Sequence, residues 1–147
     1  MKEIKVGLGT CGISAGGIPV FNTFKQEIEE KKINITLKET GCMGMCYKEV
    51  LVEVIDEDKN FLYSEVTSEK AKEIISKHII DGNPIEDWIV KSENITEEDS
   101  FLNKQKRIVL RNCGVIDPGS IDEYIEHDGY KAIKKVINEL SQEEVIN

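Results

Sequence analysis

The chain of 147 residues is short of positive charge: 19 basic side chains stand against 28 acidic ones, for a net charge of −9. That balance opposes the counterion release on which general DNA or RNA binding depends, and it argues against a nucleic-acid partner. No apolar run approaches the roughly 20 residues that a bilayer span requires, so no membrane insertion is expected. No signal-peptide core precedes the strand-like Met1-Lys2-Glu3-Ile4-Lys5-Val6, and a cytoplasmic protein is expected. Neither a Ser/His/Asp set nor a catalytic carboxylate pair stands out. Cysteine is scarce as well, with four in all. Cys42 and Cys46 lie close together beside glycines, which suits a reduced compartment and metal or redox chemistry better than a secreted disulfide framework.

What is present is periodic. Residues 3 to 9 alternate and run into the glycine-rich loop Gly9-Thr10-Cys11-Gly12-Ile13-Ser14-Ala15-Gly16-Gly17. A helix of about four turns is expected from Pro19, with Val20, Phe21, Phe24 and Ile28 on one face. Ile33 to Leu37 alternates as a strand and leads to a second loop, Thr40-Gly41-Cys42-Met43-Gly44-Met45-Cys46. Val50 to Ile55 and Phe61 to Tyr63 form a hairpin around a polar turn. Thr67 or Ser68 then caps a helix that repeats Ala71, Ile74, Ile75, His78 and Ile79 and stops at Gly82-Asn83-Pro84. A βαβ unit followed by ββα gives an α/β, thioredoxin-like four-stranded mixed sheet flanked by two helices. The expected domain spans residues 1–85, followed by a linker at 86–104. A truncated α+β segment at 105–147 completes the chain, with a strand at Arg107 to Arg111, a short helix after Asp117-Pro118, and a helix lined by Tyr130, Ile133, Val136, Ile137 and Leu140. Ser141-Gln142-Glu143-Glu144 forms a capping box.

Gly7-Leu8-Gly9-Thr10-Cys11-Gly12 fits G-x-G-x-x-G, but a helix starting near Pro19 comes too late to meet a pyrophosphate, and Glu39 is too distant for a ribose contact. The cysteines carry more. In a βαβ unit both loops leave the sheet on one side, so Cys11 is expected to face Cys42 and Cys46, where thiolates bind iron and glycines let backbone N–H groups reach sulfur. Zinc, or cysteines that merely pack, are the alternatives. His78 reads as a packed histidine and His127 as a surface one. Met43 and Met45 suit either shielding of a cluster or packing.

Gly9-Thr10-Cys11-Gly12, the Cys42 to Cys46 loop and the stretch from Tyr63 to Pro84 resemble the N-terminal thioredoxin-like [2Fe–2S] ferredoxin domain of the NADH-binding flavoprotein subunit in complex I-like NADH dehydrogenases and NADH-linked iron-only hydrogenases. Gln105 to Gly114, Asp117-Pro118, Ser120 to Ile125, Gly129-Tyr130 and Ser141 to Ile146 resemble the stretch before that family's glycine-rich flavin and NADH loop. The resemblance implies an electron-transfer module relaying single electrons through a [2Fe–2S] cluster on Cys11, Cys42 and Cys46, beside other subunits of a dehydrogenase or hydrogenase complex. FMN and NADH are expected only in the full-length subunit, so the chain is not expected to be catalytic alone. The alternative is a cluster-free docking domain of the same complex.

One departure stands out. Better-known members carry four cysteine ligands, spaced C-x₄-C and C-x₃-C, and alignment on Gly9-Thr10 puts the first two ligand positions on Gly7 and Gly12. The fourth ligand is therefore open, with Ser14, Thr10 or water as candidates. Gly7→Cys with Gly12→Cys is expected to strengthen the site, and Cys113 receives no ligand role.

Overall fold

The computed structural model describes residues 2–57, 59–91 and 106–147. Strand β1 (Glu3–Gly7) turns Ile4 and Val6 inward and Glu3 and Lys5 to the opposite face, as a period of two requires. A short helix α1 (Thr10–Ser14) and then α2 (Gly17–Lys31) carry the chain back to β2 (Thr36–Thr40), which pairs parallel to β1. Helix α2 buries Val20 and Phe24 against the sheet, and its end is turned off by Lys32 in the left-handed conformation. Strands β3 (Val52–Asp56) and β4 (Lys59–Tyr63) form the expected hairpin, with β3 antiparallel to the other side of β1.

Helix α3 (Ser68–Glu73) is capped by Thr67, whose Oγ1 accepts the Lys70 N–H, and it continues in wider π-type winding over Ile74–Ile80. Ile74, Ile75, His78 and Ile79 all turn onto the sheet there, beside Ala71. The core of Ile4, Val6, Val20, Phe24, Val52, Val54, Tyr63 and these helix residues lies between the two helices and one face of the sheet.

Four differences from the sequence reading have local causes. The sheet has five strands, in the order β2-β1-β3-β4-β5, because β5 (Ile89–Lys91) pairs antiparallel with β4. Ile85, at the end of the expected domain, and Trp88 and Ile89, in the expected linker, supply the packing that draws this stretch onto the core. Strand β2 starts at Thr36 rather than Ile33, since its ladder begins opposite Glu3. Helical structure begins at Thr10 rather than near Pro19, in two pieces broken at Gly16, which has a φ of 99°. Arg107 to Arg111 forms turns, not a strand: Leu110 O accepts the Cys113 N–H, and Ile108 and Val109 point to solvent. The acidic run Glu97-Glu98-Asp99 and most of the expected linker lie outside the described residues.

The second face of the sheet carries a smaller cluster of Met45, Leu51 and Leu62, with Met43 and Val90 packed on it. Beside it lie charges on alternate strand positions. Lys5 is 3.6 Å from Glu3 and 3.8 Å from Glu53, and Lys38 is 3.8 Å from Glu3. The C-terminal segment meets this face. Glu123 on α4 (Ile121–Glu126) pairs with Lys38 at 2.7 Å, Lys5 Nζ donates to Val115 O at 3.4 Å, and the Arg107 guanidinium donates to Met43 O at 2.7 Å. Helices α5 (Lys131–Glu139) and α6 (Gln142–Ile146) follow, the latter with its capping box formed. No helix among the described residues is long and apolar enough to cross a membrane.

Candidate metal centre

Parallel pairing of β1 and β2 aligns their ends, Gly7 opposite Thr40, and the Leu8 N–H donates to Thr40 O at 2.8 Å. The two loops therefore leave the sheet side by side. They also touch: a Cβ on Gly9 would stand 3.0 Å from both the Cβ and the backbone nitrogen of Cys42, so any larger residue at position 9 would push the loops apart. Gly12 is tighter still, since a Cβ there would lie 2.1 Å from Gly7 O. Helix α1 can fold back on the end of β1 only with hydrogen at that position.

This packing brings Cys11, Cys42 and Cys46 together, with their sulfurs all within 4.8 Å of one another. Cys42 Sγ and Cys46 Sγ are 3.4 Å apart. A tetrahedral metal bound at about 2.3 Å holds two thiolate sulfurs about 3.8 Å apart, so the pair is spaced for one metal with little adjustment. The Gly44 N–H donates to Cys42 Sγ at 3.4 Å, a contact that stabilises a thiolate or a metal-bound sulfur. All three cysteines are free, Cys11 and Cys42 half-buried and Cys46 exposed, so the group opens to solvent at Cys46. The Cys11 thiol is held above its ordinary pKa, first by its hydrogen bond with Cys42 and then by burial. Such a thiol keeps its proton until a cation replaces it. Donor type, convergence and spacing thus fit a thiophilic metal or an iron–sulfur cluster. Cys113 falls outside the group.

Sequence reasoning missed one neighbour of this group. The Cys11 thiol donates to Glu49 Oε1 at 3.6 Å, while Glu49 Oε2 accepts the Leu51 N–H at 2.9 Å. The available signal was an acidic residue three positions beyond Cys46, opening the buried run Val50-Leu51-Val52. Thr10 and Ser14, the expected oxygen donors, are exposed on α1. The Gly12→Cys expectation is also corrected, because Gly7 O occupies the space a side chain would need. The second loop lying on Gly9 likewise fills the approach that a dinucleotide at G-x-G-x-x-G would use. His78, read as packed, is fully buried, and His127 is exposed.

No protein-family model matches the chain. Over 34 residues it is 59% identical to the NADP-reducing hydrogenase subunit HndC of Solidesulfovibrio fructosivorans, a match that spans 23% of this chain and 7% of that subunit's length. It is 28% identical over 79 residues to the 2Fe-2S ferredoxin of Clostridium pasteurianum, covering 52% of this chain and 74% of the ferredoxin. The thioredoxin-like [2Fe-2S] ferredoxin of Aquifex aeolicus superposes with a TM-score of 0.57 at 23% identity, over 63% of this chain and 93% of its own. Its Cys59Ser variant aligns with a TM-score of 0.56 at 22% identity, over 62% and 99%. The fold is that of the thioredoxin-like ferredoxins, as the element order led us to expect.

Proposed function

We propose that this chain is an electron-transfer module that holds a [2Fe–2S] cluster on Cys11, Cys42 and Cys46, within the flavoprotein subunit of an NADH dehydrogenase or NADH-linked hydrogenase. The observation that carries the reading is the convergence of three thiols within 4.8 Å at the mouth of a thioredoxin-like ferredoxin fold. When bound, such a cluster accepts and donates one electron at a time. The residues' own contribution is positional. The two loops fix the sulfurs, Gly44 donates a hydrogen bond to one of them, and the half-open site leaves an edge for electron exchange.

The short match to HndC supports membership of a multi-subunit complex. We assign the ferredoxin unit to residues 1–85, extended through β5 to Lys91, and a linker to the stretch between it and residue 105. Residues 105–147 form the opening of the flavoprotein domain, with FMN and NADH bound elsewhere in the full subunit and its partners being the complex's other subunits. The unburied apolar residues Ile133 and Ile137 on α5 are consistent with a surface that further structure covers.

Anaerobic reconstitution with iron and sulfide, followed by metal and sulfide analysis, tests the reading. Two irons and two sulfides per chain are expected, and Cys42→Ser or Cys46→Ser should abolish retention while Cys113→Ser leaves it intact. Zinc without sulfide, or no metal at all, would overturn it in favour of a cluster-free docking domain.

A further inference from the structure

A [2Fe–2S] centre takes four protein ligands, so three thiols leave it one donor short, and one carboxylate stands against Cys11. Glu49 Oε1 stands 3.6 Å from Cys11 Sγ. Its other oxygen accepts the Leu51 N–H at 2.9 Å, so the carboxylate is anchored at one oxygen while the other faces Cys11. The space it fills is made by glycines. Glu49 Oε2 is 3.4 Å from where a Gly7 Cβ would stand and 3.3 Å from the corresponding point at Gly12. Side chains at either glycine would compete with the carboxylate for that volume.

We infer that Glu49 is the fourth protein ligand of this centre, its Oε1 completing a donor set of three sulfurs and one oxygen. Iron accepts carboxylate as well as thiolate, and a glutamate carboxylate brings a formal negative charge that a neutral hydroxyl or water does not. Each thiol gives up its proton as it binds, so the hydrogen bond from Cys11 to Glu49 is exchanged for two bonds to the metal centre.

The inference rests on the [2Fe–2S] reading, and the experiment separates the two. The full chain and its Glu49→Gln variant are reconstituted anaerobically, and iron, sulfide and electron paramagnetic resonance of the reduced state are compared, with Thr10→Val and Ser14→Ala as controls. Gln keeps an oxygen for the Leu51 N–H while removing the charge. Glu49→Gln should lower iron retention by about tenfold or more, or change the resonance, and the controls should match the unaltered chain. Mössbauer spectra of the unaltered protein need no variant to fold, and should show two inequivalent irons, one with only sulfur donors and one with an oxygen. Unchanged retention and resonance in Glu49→Gln, or equivalent irons in the unaltered protein, would overturn the ligand assignment alone. Failure of the unaltered chain to take up iron and sulfide would overturn the cluster reading and the assignment with it.

Discussion

At the scale of single residues, His78 shows how burial sets chemistry away from the cysteines. Its Nδ1 shares a hydrogen bond with the Tyr63 hydroxyl at 2.8 Å, and that hydroxyl accepts the Ile85 N–H at 3.2 Å. Phe61 meets the imidazole edge-on with ring centres 4.7 Å apart, and Nε2 has no hydrogen-bond partner among the described residues. Burial therefore pushes the His78 pKa down to about 4, with Asp56 opposing and Lys2 adding to the shift, and pushes the Tyr63 phenol up to about 12. A histidine whose folded value lies below its ordinary 6.5 binds its proton more readily when the chain unfolds. Its contribution to stability is thus complete above pH 6.5 and is lost as pH falls toward 4. Denaturant titrations across that window should show a loss of about 3 kcal/mol, shared with the carboxylates that also titrate there. His78→Gln should flatten the histidine part of the slope, and an unchanged slope would show that His78 charges as easily folded as unfolded.

At the scale of elements, the junction of β1 with α1 constrains the site most. Gly7 O occupies the position that a Cβ on Gly12 would take, at 2.1 Å, so Gly12→Ala must displace α1 or bend β1. Overpacking of this kind costs about 3 kcal/mol, and urea midpoints for Gly12→Ala against the unaltered chain should report a loss of that size. Because α1 carries Cys11, the same variant should weaken metal retention even where it folds. Gly7→Cys is gentler, as its Cβ would meet its neighbours at 3.4 Å, an ordinary contact, although its sulfur would compete with Glu49.

At the scale of the whole molecule, the C-terminal segment is tied to the sheet by a few polar contacts. Glu123 holds the Lys38 pKa above its usual value and is itself held below the carboxylate range, mainly through their shared hydrogen bond. Both side chains are partly exposed, so Glu123→Gln should cost no more than about 1 kcal/mol in global stability. Hydrogen exchange should nevertheless quicken across residues 115–126, where the Lys5 and Lys38 contacts fall. Uniform exchange in the two proteins would show that the tether carries nothing. Period-two and helical patterns by themselves determined the βαβ-ββα order, the inward faces of α2 and α3, a cap at Thr67 or Ser68, the cap at Ser141 and the meeting of the two cysteine loops. Those features depend on neighbours in the chain and on the handedness of a parallel crossover. Only the tertiary structure decided the fifth strand, the turns at Arg107 to Arg111, the exclusion of a side chain at Gly12 and the arrival of Glu49 beside Cys11. Each of these turns on what stands across the fold from a residue, and a distance between residues 11 and 49 is set by packing, which periodicity along the chain does not encode.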